Sequence, residues 1–227
     1  MSIIDLYDLF IHNPQITTDS RNCPKGSIFF ALKGDKFDGN QYAGKALASG
    51  CVYAVIDNPD YYIGERTILV DNVLKTLQQL AHHHRKVLGL PIIGITGTNG
   101  KTTTKELLAA VLSTKFNLLY TEGNFNNEIG LPLTVFNLRE EHEVAVLEMG
   151  ISHFGDMEPL ARIARPDVCV ITNIGYAHLE NLGTRDGILK EKTSMFDFMN
   201  PEGTVILNGD DDKLRGYTSK RCLLYTS

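Results

Sequence analysis

A chain of 227 residues, 43% hydrophobic and 22% charged, is long enough for one large or two modest cores and too apolar to remain disordered. Its 22 Lys and Arg against 27 Asp and Glu leave a formal net charge of -5, which excludes a polyanion-coating surface and, with it, nucleic acid as an expected partner. The N-terminus carries two acids and no basic stretch, no apolar run is long enough to span a bilayer, and Cys23, Cys51, Cys169 and Cys222 form no C-x-x-C pair, so the expectation is a cytoplasmic protein without membrane insertion, zinc knuckle or disulfide framework.

Residues 1–88 are expected to form a small α/β unit. Ile3, Ile4, Leu6, Leu9 and Phe10 suit a short amphipathic helix, and Ser27 to Leu32 is an aromatic and aliphatic run of strand length. A helix is predicted over 42–49 with Gly50 as its stop, then strands over 52–56 and 67–70. Asp71-Asn72 offers an N-cap for a helix reaching Leu88, and Gly89-Leu90-Pro91 ends it. The domain boundary is placed there, leaving 89–227 as a second domain.

From Pro91 onward, apolar strands alternate with helices: 92–95, 101–112, 144–147, 160–164, 168–171 and 204–207. That alternation predicts a mostly parallel sheet covered on both faces. Residues 215–227 show no clear periodicity, so the sheet is expected to be incomplete within this chain.

Between the first of these strands and its helix lies Gly94-Ile-Thr-Gly97-Thr98-Asn99-Gly100-Lys101-Thr102-Thr103-Thr104. Glycines let the backbone curl so that several N–H groups and the helix N-terminus face one polyphosphate. Lys101 would reach the terminal phosphates and the Thr102 hydroxyl would ligate Mg²⁺. The glycines stand at 94 and 97, with Ile95 where the common G-x-x-x-x-G-K-T pattern has its first glycine. The competing reading is a glycine turn opening an ordinary helix.

The wording Thr-Gly-Thr-Asn-Gly-Lys-Thr-Thr resembles the ATP loop of the Mur ligases and the related folylpolyglutamate synthetases, which activate a carboxylate as an acyl phosphate before an amine attacks. That resemblance implies binding of ATP and Mg²⁺, with Gly97, Thr98, Asn99, Gly100, Lys101, Thr102 and Thr103 around the nucleotide. It also implies a carboxylate after the next central strand, and Val144-Ala-Val-Leu-Glu148 supplies one at the carboxyl end, where parallel sheets place ligands. A solvated strand-end glutamate is the alternative. Asn173-Ile-Gly-Tyr-Ala177-His178-Leu-Glu is similar to a segment of the family whose histidine is a second metal ligand. Ala177 stands where several relatives have Asp. Gly187-Ile-Leu-Lys190-Glu-Lys192-Thr-Ser-Met-Phe196 resembles the helix whose lysine is carbamylated into a metal ligand, with Lys192 favoured by register and Lys190 the competing position. Carbamylation needs a neutral amine, which burial favours. A helix's wet face is the plainer account of both lysines.

The string Thr121 to Thr134 is too polar for a core strand, and Asn124, Asn126 and Asn127 offer paired donors and acceptors. It resembles the substrate loop of the branch that adds D-alanyl-D-alanine to a UDP-N-acetylmuramoyl-tripeptide in peptidoglycan synthesis, although Asn and Gly also build turns that bind nothing. In the first domain, Thr18-Asp-Ser20-Arg21, Lys33-Gly34 and Asp38-Gly39-Asn40 resemble the same branch's UDP-binding domain, with Ser20, Arg21 and Lys33 as candidate uracil or diphosphate contacts. Asn40 departs from the histidine common at that place, and a surface ion pair of Asp19 with Arg21 is the competing account of those two residues.

The whole implies an α/β protein with a small N-terminal UDP-binding α/β domain followed by part of a P-loop ATPase-type domain, monomeric, with Lys101, His178 and Lys192 in catalysis. A third, Rossmann-like domain for the incoming dipeptide would lie outside these residues. Two rivals stay open: a non-catalytic UDP-sugar or nucleotide-binding module, and a ligase of the same family for another amino acid.

Overall fold

The structure, a computed structural model, describes residues 1–217 and the strand at 223–226. These fall into two units, Met1–His84 and Arg85–Ser227, with the division inside a helix.

In the first unit, Ser2 and Asp5 close a capping box around the start of α1 (Ile3–His12), the Ser2 hydroxyl accepting from Asp5 N and the Asp5 carboxylate from Ser2 N. This helix buries Leu6, Tyr7 and Phe10. Then come β1 (Ile16–Thr17), β2 (Ile28–Phe30), a hairpin of β3 (Lys33–Gly34) and β4 (Phe37–Asp38), α2 (Ala43–Ala48), β5 (Tyr53–Ile56) and β6 (Thr67–Leu69). Strands β1-β2-β5-β6 make a four-stranded parallel sheet. Ile28, Phe29 and Phe30 are all buried, as a sheet covered on both faces requires. Helix α3 (Val73–Leu88) starts where Asn72 Oδ1 accepts from Lys75 N at 2.8 Å, and it stops at Gly89, whose φ is +66°.

The second unit continues with β7 (Ile92–Thr96), α4 (Lys101–Leu112), β8 (Leu118–Tyr120), α5 (Gly130–Val135), β9 (Val144–Glu148), α6 (Met157–Ala164), β10 (Val168–Ile171), α7 (Leu179–Leu182), α8 (Arg185–Thr193), β11 (Thr204–Leu207) and β12 (Leu223–Thr226). The sheet runs β12-β11-β10-β7-β9-β8 and every pairing is parallel. Strand β7 comes first in the chain yet sits inside the sheet, so the connections diverge from it to either side. A crevice opens at such a switch point, outside the carboxyl ends of the strands.

The mostly parallel α/β fold read from the sequence is present. Two expectations change. Residues 223–226 form β12 beside β11, where no regular element was expected, because an edge strand's partner lies elsewhere in the chain and leaves no periodic trace. Residues 130–135, inside the polar stretch, form α5, started by Asn127 Oδ1 accepting from Ile129 N and Gly130 N. Among the described residues no helix is long and apolar enough to cross a membrane.

Candidate active site

Three strand ends converge on the loop between β7 and α4. Gly97 has φ +149°, and a Cβ there would stand 1.9 Å from Thr172 Oγ1, so only glycine lets the turn close on the β10 end. The loop is then tied across: Thr98 N donates to Asn173 O at 3.0 Å, Asn99 N to Asn173 Oδ1 at 3.0 Å, and Gly175 N to Thr98 Oγ1 at 2.8 Å. Thr172 Oγ1 donates in turn to Asn99 O at 2.6 Å. Gly100, at φ +77°, is the N-cap of α4 and has no side chain to occupy the helix's first N–H groups. Helix-start N–H groups left uncapped by a side chain are suited to receive an anion. Thr103 is exposed on that first turn.

Lys101 folds back over the loop, donating to Gly97 O at 3.0 Å and Thr98 O at 3.2 Å. Burial lowers its pKa from the usual lysine value, against the opposing pull of the Glu148 carboxylate. Glu148, the last residue of β9, is 1% exposed. Its Oε2 accepts from Thr102 Oγ1 at 3.0 Å and its Oε1 from Asn126 Nδ2 at 2.7 Å. The strand-end glutamate is therefore on the same edge as the loop, facing α4.

Lys192 comes from α8 and is 3% exposed, its Nζ donating to Gly97 O at 3.0 Å. Burial, then the neighbouring Lys101 charge, push its pKa down to about 7, with Glu191 opposing. Lys190, the competing position, is exposed. Glu191 between them is buried and accepts from Gly155 N at 3.0 Å and Met157 N at 2.9 Å, closing the otherwise uncapped start of α6. Sequence reading passed over Glu191, although its place between two candidate lysines was a signal.

A cavity of about 250 Å³ joins Gly97, Lys101, Asn126, Asn127, His178 and Lys192. His178 is exposed there, at φ +60° as the N-cap of α7. Asn127 spends its oxygen on the α5 turn, and Asn124 is exposed. Among the described residues no three His, Cys, Asp or Glu side chains cluster to hold a metal unaided. The oxygen donors of Thr102 and Glu148, 3.0 Å apart beside the phosphate loop, do fit Mg²⁺, which takes one or two protein oxygens and completes its shell with phosphate and water.

In the first unit, Arg21 is exposed and forks onto Asp19, with Nη2 to Oδ2 at 2.8 Å, and this guanidinium holds the Asp19 carboxyl down at about 2. Ser20 sits half-buried in the same turn. Lys33 Nζ pairs with Asp57 Oδ1 at 2.8 Å. The same Asp57 oxygen accepts from buried Asn40 at 3.0 Å, while Oδ2 accepts from Val73 N at the head of α3. Asn40, where a histidine was the common residue, thus ties the β4 turn to the end of β5, its Oδ1 accepting from Asp57 N at 3.0 Å.

Comparison with known proteins gives two family matches: the Mur ligase middle domain over residues 95–226 and the Mur ligase family catalytic domain over residues 12–85. The chain is similar to the UDP-N-acetylmuramoyl-tripeptide--D-alanyl-D-alanine ligases of Bacillus subtilis, 42% identical over 92% of this chain and 46% of the relative, and Escherichia coli, 35% identical over 87% and 43%. Among solved structures it is similar to the MurF ligase of Thermotoga maritima in complex with ADP, at TM-score 0.88 and 34% identity, covering 96% of this chain and 51% of that one. The chain spans about half the length of the curated relatives it matches.

Proposed function

The chain belongs to the Mur ligase family, and from that premise we propose that it supplies the UDP-sugar-binding and ATP-binding parts of a cytoplasmic ligase joining D-alanyl-D-alanine to UDP-N-acetylmuramoyl-tripeptide. The observation that carries this reading is the meeting of Thr102, Glu148 and Lys192 at the phosphate loop, with Thr102 Oγ1 3.0 Å from Glu148 and Lys192 Nζ 3.0 Å from Gly97 O.

In this reading residues 97–103 cradle the polyphosphate of ATP, and Lys101 swings from its two carbonyls to the terminal phosphates. Thr102 and Glu148 hold Mg²⁺, which when bound neutralises charge on the transferred phosphoryl group. The neutral Lys192 amine adds to CO₂, releasing a proton and leaving a carbamate whose oxygens join His178 around the site. The substrate carboxylate takes the γ-phosphoryl to become an acyl phosphate, and the amine of D-alanyl-D-alanine then displaces phosphate. Asn124, Asn126 and Asn127 face the muramoyl peptide, and Ser20, Arg21 and Lys33 the UDP end. Identities of 34–42% to ligases of this specificity support the choice of amine.

Calorimetric titration of the chain with ADP and Mg²⁺, followed by phosphate release with ATP, UDP-N-acetylmuramoyl-tripeptide and a panel of amines after a dipeptide-binding domain has been joined to the chain, tests the reading. Phosphate release that requires D-alanyl-D-alanine is the expected result. Release with a different amine reassigns the substrate, and binding of both nucleotides without turnover favours a binding module.

A further inference from the structure

Strands β8 and β9 pair in regular parallel register from Leu118↔Val144 to Tyr120↔Val146, and the next ladder bond, Thr121 N to Val146 O, is made at 3.0 Å. A parallel ladder would continue from Glu148 N to the Thr121 carbonyl. It is diverted here. Glu148 N donates to the Thr121 hydroxyl at 3.0 Å, and the Thr121 carbonyl accepts from Lys105 Nζ at 2.5 Å.

Lys105 lies one helical turn beyond Lys101 on the face of α4 turned to the sheet, and it is 0% exposed. Its ammonium also meets Glu106 Oε1 at 2.9 Å and stands 5.7 Å from the centre of the Tyr120 ring. A buried ammonium gives up hydration that an apolar side chain at the same place would not. Packing of the helix alone therefore does not account for a lysine here. The lysine donates to a backbone carbonyl whose expected strand partner, Glu148 N, is bonded to a hydroxyl instead. At that carbonyl the chain leaves the sheet, and residues 122–127 double back over the β9 end, where Asn126 Nδ2 reaches Glu148 Oε1 at 2.7 Å and Gly150 N donates to Asn126 O at 2.8 Å.

We infer that Lys105 is a positioning residue for Glu148: by drawing the Thr121 carbonyl out of the ladder it turns the chain into the 122–127 loop and thereby sets both the strand-end carboxylate and the Asn126 amide that orients it. The inference rests on the reading of Glu148 as the Mg²⁺ ligand for its functional side, and on hydrogen bonds alone for its structural side. Lys105 touches neither nucleotide nor metal in this account.

The test uses Lys105→Met, Thr121→Val and Thr121→Ser in the 227-residue chain, with two readouts. In hydrogen–deuterium exchange, Lys105→Met should raise exchange of the Gly150 amide and of 122–127 at least about tenfold, and Thr121→Val should raise exchange of the Glu148 amide. Exchange in β7 and in the first unit should stay unchanged, and Thr121→Ser, which keeps the hydroxyl, should match wild type. In ADP titrations the Mg²⁺ half-saturation point should rise at least about tenfold in the first two variants, with Mg²⁺-free ADP binding unaltered. Wild-type exchange at 122–127 in Lys105→Met, or a wild-type Mg²⁺ half-point, overturns the inference. A wild-type chain that binds no ADP would count against the ligase reading, while the exchange comparison would still decide the role of Lys105.

Discussion

Lys192 Nζ and Lys101 Nζ each lie 3.0 Å from one acceptor, the carbonyl oxygen of Gly97. Two lysines from different helices thus converge on a single turn, and the charge of Lys101 makes that of Lys192 harder to keep. Burial is the larger cause of the depressed Lys192 pKa, and the Lys101 charge is second.

That depression fixes a pH dependence. With a folded-state pKa of about 7 against 10.5 for free lysine, the unfolded chain binds more protons between those values, so stability rises as pH climbs from about 7 to about 10.5. Below pH 7 both states are charged and the full penalty of burying the ammonium is present. Lys192→Met removes the penalty: the variant should be more stable at pH 7 by a few kcal/mol, on the order of 1.4 kcal/mol per pKa unit. Urea denaturation at pH 7 and pH 10 should show the advantage shrinking. An advantage that grows with pH would contradict the assignment.

The same neutral amine is the nucleophile carbamylation needs. Incubation with ¹³C-bicarbonate should give a carbamate carbon signal that strengthens as pH passes through about 7. Lys192→Gln should abolish it and Lys190→Gln should leave it intact. A signal lost in the Lys190 variant instead would move the site to the exposed lysine.

Glu148→Gln keeps the shape of the side chain but removes its charge. An amide cannot accept at both ends from Thr102 and Asn126, and it is a poorer ligand for a hard cation. The Mg²⁺ concentration that half-saturates ADP binding should rise about tenfold or more, while Mg²⁺-free binding to the loop should change little. Equal losses with and without the metal would place the glutamate's role in folding alone.

Gly97→Ala puts a methyl 1.9 Å from Thr172 Oγ1 at a backbone φ of +149°. Strain and overlap together should cost about 2–4 kcal/mol in denaturation experiments. Pairing it with Thr172→Ala should recover part of the loss, giving a coupling of at least about 0.5 kcal/mol. Strict additivity would mean that the two residues do not meet.

The phosphate loop and the parallel sheet were legible because their signals are local: glycines at the turn, buried strands without alternation, and a carboxylate directly after four apolar residues. Lys192 could be favoured over Lys190 only by register, since burial depends on which face of α8 turns to the loop. Arg21 and Asn127 illustrate the limit of polar residues read one at a time. The Asp19–Arg21 ion pair, set beside the nucleotide reading from the sequence, is present and leaves the choice between them to experiment, and the Asn127 oxygen starts a helix hidden inside a polar stretch. Lys105 was read as part of an ordinary helix, because nothing in a run of Thr-Lys-Glu reveals that the lysine points inward to a carbonyl sixteen residues away. Strand β12 was missed for a similar reason, its partner β11 being separated from it in sequence.

The bonds from Gly155 N and Met157 N to Glu191 fasten α8 to the segment that leaves β9. The amine next to Glu191 and the carboxylate ending β9 are therefore mounted on one bracket rather than on two independent arms. Loosening those two bonds would let α8 and the segment after β9 move separately, so the spacing of the two groups depends on Glu191 as well as on the sheet.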